Sequence, residues 1–142
     1  MSDPSATAGQ PVLPFTGERF TPECVREIWY EHWHRYAFAR ALCNGKRVLD
    51  AACGEGYGSA MLAPLASQVI GVDVDATTIA HAQAKYRDVA NLRFQHGSVS
   101  ALDLDDASVD VIVSFETIEH LAEQEAMLAE FRRVLAADGI LV

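Results

Sequence analysis

The sequence is short of positive charge. Against 20 aspartates and glutamates it has 11 lysines and arginines, a net charge of −9, and no basic run is longer than the pairs Lys46–Arg47 and Arg132–Arg133. A phosphate backbone is bound through clustered Lys and Arg, so nucleic acid is not an expected substrate. Cysteine is scarce too. Cys24, Cys43 and Cys53 are odd in number, widely spaced and form no C-x-x-C pair, which points to a reducing compartment without a disulfide framework. No apolar run approaches the roughly 18 residues of a membrane span, and the N-terminus lacks a basic-then-apolar signal pattern. The cytoplasm is the expected location. Internal repeats and low-complexity tracts are absent as well.

What remains is an ordinary globular composition, 50% hydrophobic and 22% charged over 142 residues, enough for one domain with a real core. Residues 1–14 are small, polar and proline-bearing and read as a disordered leader. Thr21-Pro22-Glu23 offers an N-cap hydroxyl and a proline at the first helical position. The helix so begun is predicted to run to about Leu42 and to end at Asn44-Gly45, making residues 15–45 an N-terminal helical segment. Ile28, Trp29, Trp33, Tyr36 and Ala37 fall on or near one face, with His32 and Arg35 close by, which predicts an aromatic face packed on a sheet.

From residue 46 to 142 apolar strands alternate with helices, the pattern of an α/β, Rossmann-like, doubly wound parallel sheet. Strands are predicted at Arg47–Ala51, Gln68–Val72, Leu92–Gln95 and Val109–Ser114, and a fifth opens at Ile140–Val142 after Asp138-Gly139. Helices are predicted from the loop after the first strand to about Ala66, with Pro64 weakening the last turn, and over Ala76–Tyr86, capped by Asp75. A third carries Met127, Leu128, Phe131, Val134 and Leu135 on one face. With about five strands the sheet is partial. An open apolar edge is an aggregation hazard that a partner or a second copy of the chain would cover.

The most informative stretch is residues 47–58, Arg-Val-Leu-Asp-Ala-Ala-Cys-Gly-Glu-Gly-Tyr-Gly. A strand that breaks into Gly54, Gly56 and Gly58 and re-forms as helix is a nucleotide-binding unit. Glycine allows positive φ in the turn and lets a ligand lie against the backbone. Asp73, nineteen positions after Gly54, stands where such units hold the two ribose hydroxyls. A pyrophosphate favours an uncharged Gly-x-Gly-x-x-Gly loop. Here the third glycine falls one place early, Ser59 takes its position, and Asp50 and Glu55 bring carboxylates to where a pyrophosphate would lie. That disfavours an NAD(P)-dependent oxidoreductase and suits a ligand bearing an ammonium and a sulfonium, S-adenosylmethionine.

Val48–Gly58 together with Val69–Asp75 resembles the first two motifs of the class I S-adenosylmethionine-dependent methyltransferases, and the likeness runs from about residue 46 to the end of the chain. The resemblance implies that Asp50, Ala52, Cys53, Gly54 and Gly56 wrap the methionine end of the cofactor, Asp50 acting through loop backbone and ligand ammonium. Cys53 reads as a small residue that fits the loop. Asp73 would hold the ribose, and Val74 would pack on the adenine. Where similar enzymes show Gly-Asp, this chain has Gly97-Ser98, so Ser98 and Val99 would face the adenine, with Asp103 or Asp105 as substitute acids. In Ser114-Phe-Glu-Thr-Ile-Glu-His-Leu, the residues Phe115, Glu116 and His120 would line the pocket.

His120 is the candidate general base, although no catalytic residue is assigned. Glu116, Glu119 and His120 share a spacing with metal ligands of ubiquinone-pathway O-methyltransferases and small-RNA 2′-O-methyltransferases, but no fourth ligand is visible and no metal is expected. The N-terminal helix would serve as a lid. Thr16-Gly-Glu-Arg-Phe followed by Glu31-His-Trp-His-Arg-Tyr-Ala-Phe-Ala resembles bacterial methyltransferases of cell-surface polysaccharide pathways. The expectation is therefore methyl transfer to a small-molecule or saccharide acceptor, by O-methylation. Similar enzymes continue through further strands, so the alternative is a non-catalytic module that keeps the cofactor cleft.

Overall fold

The computed structural model describes residues 27–142. The leader, the Thr21-Pro22 helix start and Cys24 lie outside the described residues, as do the side chains of Ile28 and Trp29. The elements run α1 (Glu27–Leu42), β1 (Arg47–Ala51), α2 (Tyr57–Leu62), β2 (Gln68–Asp73), α3 (Ala76–Lys85), β3 (Leu92–His96) and β4 (Val109–Val113). A single 3-10 turn (Ile118–His120), α4 (Gln124–Val134) and β5 (Leu135–Leu141) complete the order. All five strands are parallel, in the order β3-β2-β1-β4-β5.

Alternation along the strands divides the core between two sheet faces. Val48, Val69, Phe94 and Val111 pack with Tyr36 and Ala39 of α1, Cys43 in the turn after it, Leu62 of α2, and Ile79 and Ala82 of α3. Leu49, Ala51, Val72 and Ile112 pack with Met127, Phe131 and Val134 of α4. Helices on both faces of a parallel sheet make the doubly wound architecture that the sequence pattern predicts.

Element boundaries differ from expectation in physically legible ways. α2 stops at Leu62 rather than about Ala66, since Pro64 has no N–H to continue the ladder. Asp75 caps α3 as expected, accepting from the Thr78 N–H at 2.9 Å. The side of α1 toward the sheet presents Tyr36 and Ala39, continued by Cys43 in the turn just after it, while Trp33 is 37% exposed and Tyr30 and Phe38 more so. The expected aromatic face thus contributes Tyr36 alone among its described, buried members. On α4, Leu128 turns outward and is 46% exposed.

β5 begins at Leu135, directly after α4, rather than at Ile140. Its register explains this: Leu135 pairs with Val109 and Ile140 with Val111, so residues 136–139 bulge opposite Asp110 alone. Gly139 belongs to that bulge, where a Cβ would meet the Leu135 side chain at 2.6 Å. Among the described residues no helix is long and apolar enough to cross a membrane.

Candidate functional site

β1 has β2 on one side and β4 on the other, so the chain changes winding direction there. In open α/β sheets that switch point opens a crevice beyond the carboxyl ends of the strands, where ligands bind. The loop from Ala52 to Gly56 forms its floor. Ala52, Gly54 and Gly56 have φ values of 58°, 56° and 87°. Ala52 adopts this left-handed conformation with a Cβ, at a cost of roughly 1–2 kcal/mol.

The three glycines do different work. A Cβ at Gly54 would meet nothing within 4 Å, whereas one at Gly56 would collide with the Phe94 ring and one at Gly58 with the Tyr36 ring. Only Gly54 therefore leaves the open floor that the sequence argument gave to all of them. Gly56 and Gly58 make room for the protein's own aromatic rings.

The two carboxylates, Asp50 in β1 and Glu55 in the loop, also turn away from their expected places. Asp50 is fully buried. It accepts from the Tyr36 hydroxyl at 3.0 Å and the Ser59 hydroxyl at 2.6 Å, and it touches no loop amide. Burial pushes its carboxyl up to about 7, against the downward pull of Ser59 and then Tyr36. Glu55 is also buried and turns to α3, where the Lys85 ammonium sits 3.0 Å from it. Neither acid presents a carboxylate where a pyrophosphate would lie, so the charge argument against a dinucleotide does not rest on them. Asp73 does the loop-capping, accepting from the Gly54 N–H and the Asp75 N–H, each at 2.9 Å.

Two lobes open above the loop. Lobe one, of about 170 Å³, is lined by the loop residues Ala52, Cys53, Gly54 and Glu55, by His32 and Tyr36 of α1, by Tyr57 and Gly58 of α2, and by Phe115. Lobe two, of about 320 Å³, is lined by Val74, Ser98, Val99, Thr117, His120 and Glu123. Ala52, Asp73 and Glu116 border both. The structure thus gathers Ala52, Cys53, Gly54, Asp73, Val74, Ser98, Val99, Phe115, Glu116 and His120 around one cleft, and leaves Asp50 and Gly56 out of its lining.

α1 roofs lobe one. Arg35 pairs with Glu116 at 2.7 Å, and the Tyr36 ring meets Phe115 edge-on at 5.1 Å between centroids. Burial, then the charge of Arg35, lowers the His32 imidazole below its ordinary value, and burial pushes the Cys53 thiol up. Tyr57 and Glu123 were missed by sequence reasoning. Tyr57 lies inside the glycine-loop motif but was given no role there, Glu123 lies two residues past the segment ending at Leu121, and only the fold turns each toward the cleft.

In lobe two, the Ser98 hydroxyl already accepts from the Ser100 N–H at 3.1 Å. Asp103 and Asp105 do not border the lobe, so neither replaces the acid absent after β3. Glu123 is the acid that the fold brings there instead. Glu116 is engaged by Arg35, and among the described residues no group of three or more His, Cys, Asp or Glu could hold a metal ion.

Residues 49–142 match a family described as a methyltransferase domain. The chain belongs to that family. It is 42% identical, over its whole length, to a protein of Mycolicibacterium smegmatis named a probable S-adenosylmethionine-dependent methyltransferase, and spans 54% of that protein. It is 29% identical over 83% of its length to the ubiquinone biosynthesis O-methyltransferase of Rhodopseudomonas palustris, spanning 47% of that chain. The crystal structure of the YcgJ protein of Bacillus subtilis superposes with a TM-score of 0.73 at 29% identity, covering 78% of this chain and 49% of that one. The chain therefore spans about half the length of the curated relatives it matches. Its fold is that of the class I methyltransferases, whose cofactor is S-adenosylmethionine. The cleft fits such a group: an open backbone floor at Gly54, a carboxylate at the junction of two lobes, and an apolar wall at Val74 and Val99.

Proposed function

We propose that this chain binds S-adenosylmethionine across the two lobes and supports transfer of its methyl group to a hydroxyl of a small-molecule or saccharide acceptor. The carrying observation is the place of Asp73. Its carboxylate borders both lobes, as a ribose between an adenine and a methionine requires. Each Asp73 oxygen takes one backbone N–H and keeps lone pairs for the ribose hydroxyls.

In this reading Val74, Ser98 and Val99 receive the adenine, and Ala52, Cys53 and Gly54 carry the methionine end. Gly56 shapes the loop from behind. The bound cofactor supplies a methyl group on a sulfonium that leaves as a neutral thioether. Phe115 and Tyr36 close the wall of lobe one against water, and the roof of α1 fixes the approach of the acceptor. Positioning of this kind is worth roughly 7–11 kcal/mol, which is why the cleft needs no nucleophile. A hydroxyl acceptor loses its proton as the new O–C bond forms. His120 in lobe two and His32 in lobe one are the imidazoles at the wall that could take it. The ubiquinone-pathway relative, an O-methyltransferase by name, supports a hydroxyl acceptor.

Calorimetric titration separates the readings. S-adenosylhomocysteine should bind and NADH should not, and Asp73→Asn should weaken the former tenfold or more. Binding of NADH alone would overturn the proposal. Cofactor binding with no turnover on any hydroxyl acceptor would leave the non-catalytic module.

A further inference from the structure

The cleft has a carboxylate behind it that the proposed chemistry leaves without a task. Asp50, the penultimate residue of β1, lies beneath the glycine loop with no exposure to solvent. Among the described residues no Lys, Arg or His forms an ion pair with it. The titratable groups facing it are the Tyr36 phenol from α1, the Cys43 thiol from the turn after α1, the Cys53 thiol from the loop and the Asp73 carboxylate from β2. None of these is a cation. An uncompensated carboxylate in such a place is strongly disfavoured in its charged form.

Its two hydrogen-bond partners are both hydroxyls, Tyr36 Oη and Ser59 Oγ. A hydroxyl can donate or accept. Around an ionised Asp50 both donate. Around a protonated one, either can turn to accept the acid's proton while the other still donates. The cage is therefore complete in both protonation states. Asp73 differs: its partners are backbone amides, which only donate.

We infer that Asp50 is a proton store for the cleft, holding a proton while the cleft is empty and releasing it when a cationic ligand occupies lobe one. The inference rests on the proposed cofactor, whose ammonium and sulfonium supply the positive charge that the ionised acid lacks in the empty protein. The carboxylic acid becomes a carboxylate, and its proton leaves to solvent through the Tyr36 hydroxyl. That ring lines lobe one and so links the acid to the cleft. Asp50 is thereby a positioning residue: it touches α1 through Tyr36 and α2 through Ser59, and its charge state reaches the ligand through the loop. A carboxyl pushed up to about 7 in the empty protein places the coupling at neutral pH. Through that range cofactor affinity should rise with pH, by at most about tenfold per unit for one released proton.

The test is calorimetry of S-adenosylmethionine binding to the whole chain, with no acceptor present, between pH 6 and pH 8, in pairs of buffers of different ionisation enthalpy. The number of protons released is read from the difference within each pair. The ligand's own amino group titrates in every protein, so the wild type is compared with Asp50→Asn. The wild type should release a fraction of a proton more, the excess vanishing toward pH 8. Ser59→Ala and Tyr36→Phe each remove a donor to the ionised acid and should move the release to higher pH, Ser59→Ala by more. Equal release in wild type and Asp50→Asn, with binding intact, overturns the proton store and leaves the cofactor reading standing. If Asp50→Asn does not fold, a release window unmoved by Ser59→Ala and Tyr36→Phe overturns it instead. Absence of binding in every protein at every pH removes the cofactor reading, and the inference with it.

Discussion

Asp50 and Asp73 lie near the carboxyl ends of neighbouring parallel strands, β1 and β2, and sequence spacing gives them similar tasks at opposite ends of one ligand. The fold separates them. Asp73 stands at the cleft wall, clasped by two loop amides. Asp50 lies behind the loop, enclosed by two hydroxyls and out of solvent. The glycines follow the same division. Gly54, whose N–H binds Asp73, is open to the cleft, while Gly58 is filled by the Tyr36 ring that binds Asp50. One short loop thus has a ligand side and a packing side, and identical residue types mean different things on each.

The division can be broken most severely from the ligand side. Asp73→Ala strips both loop amides of their acceptor. The two ribose hydroxyls of the proposed ligand lose the same acceptor, and at about 1.5–3 kcal/mol for each hydrogen bond to a charged group cofactor affinity should fall by two orders of magnitude or more in calorimetry. Next comes the packing side. Gly58→Ala drives a methyl group into the Tyr36 ring, and such overpacking costs about 1–3 kcal/mol, read as a lower urea midpoint. Gly54→Ala meets no atom. It should cost no more than the roughly 1–2 kcal/mol of a left-handed alanine, and lose cofactor affinity out of proportion to stability.

Asp50→Asn acts through pH. Burial raises the folded carboxyl to about 7, above its unfolded value. Its stabilising contribution is therefore complete below about pH 4 and lost as pH rises through 7. Relative to wild type, the asparagine variant should gain on the order of 2 kcal/mol in urea denaturation between pH 5 and pH 8. Asp110 shows the opposite sign and the smallest effect. Hydrogen bonds from Arg47 hold its carboxyl down to about 2, so its contribution is present above about pH 4 and lost as pH falls through 2. Asp110→Asn should lower stability modestly at neutral pH, the ion pair with Arg47 being partly exposed, and the difference from wild type should shrink as pH falls through 2.

Strand and helix order were legible because apolar periodicity survives without tertiary knowledge. Val48 and Leu49 announce a buried strand, and Asp75 announces its helix cap, whatever they pack against. The place of Asp73 was legible because strand-loop-helix geometry fixes the spacing. The direction of a side chain was not. Asp50 faces away from the cleft only because Tyr36 and Ser59, from separate helices, meet it there. Glu55 was read as a loop charge because Lys85, thirty positions on, cannot be foreseen as its partner. The sheet-facing stripe of α1 was misplaced by Trp33, whose hydrophobicity suggested burial although Ala39 and Cys43 fill that face. The bulge in β5 depends on pairing with Val109 and Val111, contacts that no local pattern encodes.

The most direct measurement is a crystal structure of the chain grown with S-adenosylhomocysteine. The account expects both ribose hydroxyls on the Asp73 carboxylate, the purine between Val74 and Val99, and the amino-acid end above Gly54 with Asp50 still behind the loop. A ligand seated elsewhere, or one whose ribose avoids Asp73, would contradict it.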